Sequence, residues 1–503
     1  MRIYLTGSDT LLGAALRRAL GESHELHAPS PEPRDRAAIS EAAAGCDAIV
    51  HLVPPAADQD DLDALDRATR GTYDLLTAAS PSRFVLVTSL RPFARYPASW
   101  LVTEQWMPRP APTATDLAPY LAELTAREVA RVRPVEAIVL RLGEVVDPAT
   151  ASGPADASWL HIEDAVAAVE RALTFAPGEA TRPTRWHVFH IVDGGANSRF
   201  PLDDAARPPF SFAPRHRLTD AATLPADEGS FPPRPAPIPS RPIRRVAIFG
   251  AGGPLAAVTA EALERDHILR LTDVRPLVEA AAAPPQSPGA PLPRPLPPPH
   301  EERLVDVTDP AQVLVAAEGM DALVNCTVVR PHPVNAFRVN LLGAYNVMRA
   351  AVTHGIRRVV HTGPIQTLIP HPAGFAPEFD ISPDLPPRPG DDLYFMSKFL
   401  GQEVCRIFAE AYDLEVPTLL FCAFRNPDVP LLDEPLHPFT ISWADAGEAM
   451  RQAVRAPGFP RPFEVLHINA DLPHGKYPND KAKRLLAWQP RDRFESHWRR
   501  GSE

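Results

Sequence analysis

Lysine is nearly missing from this chain of 503 residues. Four of its 51 basic residues are lysine, at positions 398, 476, 481 and 483, and the rest are arginine. Cysteine is also scarce: Cys46, Cys326, Cys405 and Cys422 lie far apart, with no C-x-x-C spacing and no metal-like pairing with histidine. That argues against disulfides and structural zinc and for a reducing compartment. The 17 histidines form no H-x-x-x-H or H-x-H pattern, so no metal site is expected. No apolar run approaches the roughly 18 residues of a membrane span. The opening MRIYLTGSDTLLG enters a strand at once, without a basic-then-apolar leader, and a cytoplasmic location is expected. No basic run stands out against a net charge of −11, which speaks against a nucleic-acid partner.

Proline is abundant, at 61 residues, and it clusters in two stretches. Residues 214–243 include FPPRPAPIPSRP and read as an extended linker. Residues 283–300 end PLPRPLPPP and read as a surface excursion within a domain. On either side of the linker the sequence repeats itself. RIYLTGSDTLLGAALRRAL (2–20) parallels RVAIFGAGGPLAAVTAEAL (245–263), each an apolar strand, a glycine turn and an Ala/Leu-rich helix. In the same order, GCDAIVHLV (45–53) parallels GMDALVNCT (319–327), and RATRGTYDLLTAA (67–79) parallels RVNLLGAYNVMRAA (338–351). SRFVLVTS (82–89) then parallels IRRVVHTG (356–363), and HIEDAVAAVERAL (161–173) parallels SWADAGEAMRQAV (442–454). Five blocks in shared order imply two copies of one α/β unit. Strands alternating with helical patterns imply parallel sheets covered on both faces. The expected fold is therefore two tandem Rossmann-like, doubly wound domains, 1–213 and 244–503, joined by the linker 214–243.

In the second domain the turn is Gly250-Ala251-Gly252-Gly253-Pro254-Leu255-Ala256. Glycine permits the tight turn and the close approach of a pyrophosphate, Pro254 suits a first helical turn, and the helix N-terminus offers free N–H groups. The next strand, ILRLTD, ends at Asp273. A carboxylate there binds ribose hydroxyls and repels a 2′-phosphate, which favours NAD over NADP.

Further on, Tyr394-Phe395-Met396-Ser397-Lys398 places Tyr and Lys four apart, on one helical face. A chain that fills nearly every cationic position with arginine keeps lysine here. Arginine does not imitate a compact ammonium, and a nearby ammonium lowers the pKa of a phenol toward the range of a general acid/base. Tyr477 and Lys481 share the spacing, but Pro478 directly after the Tyr and a local lysine cluster make that match a coincidence. Asp445 reads as a helix cap, and His361, at the end of a central strand where ligand sites open, reads either as a histidine satisfied by backbone or as a substrate contact.

Taken together, these pieces resemble the extended short-chain dehydrogenase/reductase family, the NAD-dependent epimerase/dehydratase group, over most of 244–503. The resemblance rests on Gly250, Gly253 and Ala256, on Asp306-Val307 in LVDVTD, on Asn340 and Gly343 in VNLLGAYN, and on Tyr394 with Lys398. It implies that Asp306 and Val307 contact adenine. It also implies that Lys398 holds the nicotinamide ribose, and that Tyr394 exchanges a proton with a sugar-like substrate. The tail and the short length are more similar to uronate dehydrogenases than to nucleotide-sugar epimerases. Two departures stand out. The family's serine-rich run is His361-Thr362-Gly363-Pro364 here, leaving Thr362 or Thr367 to supply the hydroxyl, and Phe421 stands where the family often has Arg.

The first domain departs further: Thr10 replaces the middle glycine, no acid ends its second strand, and Tyr120 is followed by Leu124 rather than Lys. It is expected to be catalytically dead and to serve as an intramolecular pseudo-dimer partner for the second. The expected activity is that of an NAD-dependent oxidoreductase or epimerase/dehydratase acting on a sugar; the rival is a non-catalytic NAD-binding or scaffold protein.

Overall fold

The computed structural model describes all residues except 54–59, 150–157, 178–183, 196–197, 219–230, 232–234, 285–288, 331, 370–379, 429–435 and 499–503. Much of the 214–243 linker and the start of the second proline-rich stretch lie outside the described residues. The chain divides into two compact units, Met1–Pro233 and Arg234–Glu503.

In the first unit the strands are β1 (Arg2–Leu5), β2 (Glu25–His27), β3 (Ala48–Leu52), β4 (Arg83–Ser89), β5 (Glu136–Leu142), β6 (Glu144–Val146), β7 (Trp159–His161) and β8 (Trp186–Ile191). Six of them form a sheet in the order β2-β1-β3-β4-β5-β8, parallel throughout. In the second unit they are β9 (Arg245–Phe249), β10 (Ile268–Asp273), β11 (Glu301–Leu304), β12 (Ala322–Asn325), β13 (Arg358–Pro364), β14 (Val416–Phe421), β15 (Ala423–Arg425), β16 (Thr440–Ser442) and β17 (Phe463–His467). Their sheet runs β11-β10-β9-β12-β13-β14-β17, again all parallel. Central strands such as β3, β12 and β13 are buried along their whole length. β3 (AIVHL) and β12 (ALVN) accordingly read as mainly apolar runs rather than alternating ones, whereas β13 (RVVHTGP) buries Arg358, His361 and Thr362 as well.

Each unit has its own core. In the second, the helices Pro254–Leu263 and Trp443–Arg455 pack together over Val246, Ile248, Val324 and Leu419. The helices Gly343–Thr353 and Leu393–Tyr412 also pack against one another. Leu296, from the proline-rich stretch, packs against the main core, so this excursion is anchored. Ser442, not Asp445, caps the helix Trp443–Arg455, by accepting the Asp445 N–H. The Asp445 carboxylate instead accepts the N–H groups of Arg491 and Asp492, fastening the C-terminal segment.

Both units share one irregularity. A π-helical turn, Arg67–Gly71 in the first and Arg338–Leu342 in the second, interrupts the helix that follows the third and the twelfth strand respectively. Such turns insert one extra residue per helix and recur at functional sites.

Candidate functional site

The order of the second sheet reverses between β9 and β12, the crevice where α/β sheets bind ligands. Gly250 leaves β9 at this point with φ +80°, and a Cβ on it would lie 2.9 Å from the backbone of Thr327. No other residue type satisfies both conditions. Gly253 precedes Pro254 at the start of the helix, with no side chain capping it. The Asp273 carboxylate accepts the Gly252 N–H at 2.8 Å, so the acid ending β10 stands against the glycine turn. A Cβ on Gly252 would meet that carboxylate at 2.8 Å.

Asp306 is exposed, and its carboxylate accepts the Thr308 N–H and hydroxyl. Val307 is buried, its carbonyl accepting from Asn346 at 3.0 Å. Gly343 makes room for it: a Cβ there would sit 2.8 Å from Val307 Cγ1. Asn340, on the π-helical turn, clamps Val329 by both backbone groups, at 3.1 and 2.8 Å, and donates to the Ser397 hydroxyl at 2.9 Å. Ser397 in turn donates to the Tyr394 carbonyl. One amide side chain thus joins the loop after β12 to the Tyr/Lys helix, Leu393–Tyr412.

Lys398 is buried, and its ammonium donates to the carbonyls of Thr327 (2.7 Å) and Thr362 (3.3 Å). Burial pushes its pKa down to about 8. Burial raises the Tyr394 pKa, and the nearby Arg330 works against that rise. The Arg330 guanidinium lies 5.5 Å from the centre of the Tyr394 ring.

Neither threonine offered for the missing hydroxyl is uncommitted. Thr362 donates to the Asn325 carbonyl at 2.9 Å, Thr367 to the Pro364 carbonyl at 3.0 Å, and both are buried. Polar groups that the sequence did not single out stand nearby. Gln366 donates to Cys422 Sγ at 3.1 Å, and His437 approaches the same sulfur at 3.6 Å. Arg330 draws down both Tyr394 and Cys422, so these groups share one electrostatic neighbourhood. They come from loops after different strands, so no local pattern marks them. His361 is buried and held neutral, its pKa lowered to about 3 by burial, with Asn325 at 3.4 Å.

In the first unit the glycine turn closes on itself. Thr10 donates to the Gly7 carbonyl and accepts the Gly13 N–H, filling the helix N-terminus. An acid is present after all: Glu32, five residues beyond β2, accepts the Gly7 N–H. The Tyr120/Leu124 assignment also fails. Arg83 pairs with Glu136 as Arg358 does with Glu415. Glu123 bonds to Thr88, whereas Gln402 flanks Gly363. Counting back from Glu123 and Gln402 puts Thr115 and Pro119 where the second unit has Tyr394 and Lys398. Both line a cavity of about 770 Å³ with Thr10, Leu52, Thr88, Ser89 and Phe200. A trio of His161, Glu163 and His216 also stands within 4.8 Å in this unit. Its imidazoles stack face to face at 3.6 Å, so their lone pairs run side by side rather than converging on one ion.

Residues 246–425 match the model of the NAD dependent epimerase/dehydratase family. Over 184 residues the chain is 28% identical to the uronate dehydrogenase of Pseudomonas putida, a match covering 35% of this chain and 60% of that protein. Over 277 residues it is 27% identical to the L-arabinose 1-dehydrogenase (NAD(P)(+)) of Haloferax volcanii, covering 49% of this chain and 96% of the relative. The crystal structure of the uronate dehydrogenase from Agrobacterium tumefaciens aligns at a TM-score of 0.40 and 24% identity, over 52% of this chain and 91% of that one. The segment holding the Gly250 turn, Asp306, Asn340 and the Tyr394/Lys398 helix thus carries the sequence pattern of the NAD-dependent epimerase/dehydratase family.

Proposed function

We propose that the second unit binds NAD and oxidises or epimerises a free sugar or sugar acid at a hydroxyl held beside Tyr394. The carrying observation is the Lys398 ammonium, buried under the crevice and bonded to the ends of β12 and β13, four residues from Tyr394. The residues fit the cofactor. The helix N-terminus at Gly253 is uncapped for phosphates, and Asp273 stands at the turn for ribose hydroxyls. Asp306 and Val307 flank the adenine side. Bound NAD would supply the hydride acceptor. Tyr394 would take the proton of the reacting hydroxyl at its own oxygen, and Lys398, with one ammonium proton left, would hold the nicotinamide ribose. The uronate and arabinose dehydrogenases among the relatives support an unphosphorylated sugar or its acid as substrate.

A second reading, a non-catalytic NAD-binding protein, draws on Gly363, Pro364 and the engaged hydroxyls of Thr362 and Thr367. One experiment separates the two: full-length protein with NAD and a panel of uronates and aldoses, followed by reduced-nicotinamide absorbance, with product analysis for epimerisation. Turnover supports the enzyme; NAD binding with no product from the whole panel supports the second reading.

We further propose a division of labour along the chain. Residues 1–213 would be a degenerate copy with no catalytic Tyr/Lys pair, 214–243 a linker and 244–503 the working domain. The helices near 66–80 and 117–132 would pair with 335–353 and 393–412 as an intramolecular pseudo-dimer. Light scattering at one chain's mass is the expected result, and a stable dimer of chains would count against it.

A further inference from the structure

The first unit lacks the Tyr/Lys pair of the second but has a cavity in its place. At the positions of Tyr394 and Lys398 stand Thr115 and Pro119, and both line the cavity of about 770 Å³. That volume suits a small molecule. Leu12, Leu52, Val87, Leu142 and Phe200 give it apolar walls, and all five are buried. The phosphate end of the same crevice is filled by the chain itself. Thr10 accepts the Gly13 N–H at the helix N-terminus, and the Glu32 carboxylate accepts the Gly7 N–H. Asp9 lines that end together with Glu32, so a pyrophosphate there would face two carboxylates of its own sign.

The polar groups of the cavity narrow the kind of ligand. Thr88 is buried in its wall and donates its hydroxyl proton to Glu123 at 2.7 Å. Glu123 is buried too, and Arg141 holds both of its oxygens through bonds of 2.8 to 3.1 Å. A carboxylate so paired only accepts. Thr88 therefore offers the cavity lone pairs and no proton, and its fitting partner is a donor. The two arginines of the lining are committed elsewhere. Arg91 pairs with Asp116 at 3.1 Å, and Arg199 donates to the carbonyls of Tyr96 and Pro97, each at 3.0 Å. The third charged group of the lining, Glu144, is an exposed acid. Among the described residues, the lining thus has no cation left to compensate a buried anion. We propose that this cavity is a binding site for a neutral, largely apolar ring compound that carries a hydroxyl or N–H for Thr88. It goes beyond the NAD chemistry proposed for the second unit and does not depend on it.

The test is equilibrium dialysis of the full chain, at neutral pH, against three naphthalene probes. 2-Naphthol has the donor, 2-methoxynaphthalene lacks it, and 2-naphthoate carries a charge. 2-Naphthol should bind about fivefold more tightly than 2-methoxynaphthalene, the worth of one hydrogen bond. 2-Naphthoate should bind at least about 100-fold more weakly than 2-naphthol. Saturating NAD should displace none of the bound naphthol. Thr88→Val keeps the shape of the wall and removes the acceptor, so it should erase the preference for the naphthol. Ala94 lines the cavity and is itself exposed, so Ala94→Trp should melt like the parent while its indole blocks the cavity. Both neutral probes should then bind at least about tenfold more weakly. Undiminished binding in folded Ala94→Trp, displacement by NAD, or a naphthoate bound as tightly as the naphthol overturns the proposal. Should Thr88→Val fail to fold, the parent chain still decides: equal affinity for the naphthol and its methyl ether overturns the donor requirement.

Discussion

The Lys398 ammonium bonds the Thr327 carbonyl at 2.7 Å, and so fixes the Tyr/Lys helix to the loop that leaves β12. The contact is buried, and a second bond reaches Thr362 on the next strand. Lys398 is therefore a tie between three elements as well as a charge.

Replacing Lys398 by Arg should separate this residue from the rest of the chain's cations. A guanidinium is broader and planar, so Lys398→Arg should lose at least about 100-fold in kcat/KM and about 1–3 kcal/mol of stability through broken buried bonds. Lys481 bonds Asp384 and Glu464 at 2.8 and 2.6 Å, a geometry that Arg also satisfies. Lys481→Arg should leave activity within about twofold and stability within about 1 kcal/mol. Steady-state kinetics and thermal melts check both; equal effects would show that the wrong Tyr/Lys pair was chosen.

The glycine turn gives a second contrast. Gly250→Ala forces a side chain into positive φ and against Thr327, and should cost about 1–3 kcal/mol. A Cβ on Gly253 meets only the Gly250 carbonyl, at an ordinary 3.6 Å. Gly253→Ala should therefore melt like the parent while binding NAD more weakly, because its methyl would take up space at the helix N-terminus where the phosphates would sit. Calorimetric titration beside a melt distinguishes loss of fold from loss of site.

Cofactor choice should follow Asp273. Asp273→Ser removes the charge that repels a 2′-phosphate, so the ratio of NADP to NAD affinity should rise at least about tenfold, about 1.4 kcal/mol. Glu32→Gln in the first unit should leave NAD affinity unchanged. If Glu32→Gln changed it and Asp273→Ser did not, the first unit would be the one holding the cofactor.

Acid should weaken the fold through histidines buried neutral. His361 and His467 have pKa values pushed down to about 3, chiefly by burial. Below their ordinary value of about 6.5 the unfolded chain binds protons that the folded chain refuses. Stability should thus be fully present above about 6.5 and fall as pH drops toward 3, by at most about 1.4 kcal/mol per pH unit for each histidine. For Lys398, whose folded pKa of about 8 lies below its ordinary 10.5, the sign gives stability that rises between those two values. Urea midpoints across pH check this: His361→Leu should flatten the acid slope, and a slope unchanged in that variant would contradict the assignment.

The parallel α/β class was legible because its signals are local. Strand, glycine turn and helix follow one another at Gly250, and buried strands such as β3 and β12 announce themselves as mainly apolar runs. The place of Arg330 over the Tyr394 ring was not legible, since it is one arginine among many and its loop is held by Asn340. Glu32 escaped because it reaches Gly7 from five residues past its strand rather than from the strand's last position. Tyr120 was misassigned because a helix repeats every few residues, so its sequence fits several alignments. Only the partners Glu123 and Gln402, set by contacts across to β4 and β13, fix the register.

The π-helical turn at Arg338–Leu342 also sets the phase of everything that follows it. One inserted residue advances a helix by about 100°. Removing a residue there would let the hydrogen-bond ladder close and would make a better helix in isolation. It would also swing Gly343 away from Val307, which needs its missing Cβ, and withdraw the Asn340 carbonyl from Gly401, where a Cβ would lie 2.2 Å away. Local helical regularity and the fit between neighbouring elements are thus in direct competition at this turn, and a shortened variant should have the straighter helix and the looser protein.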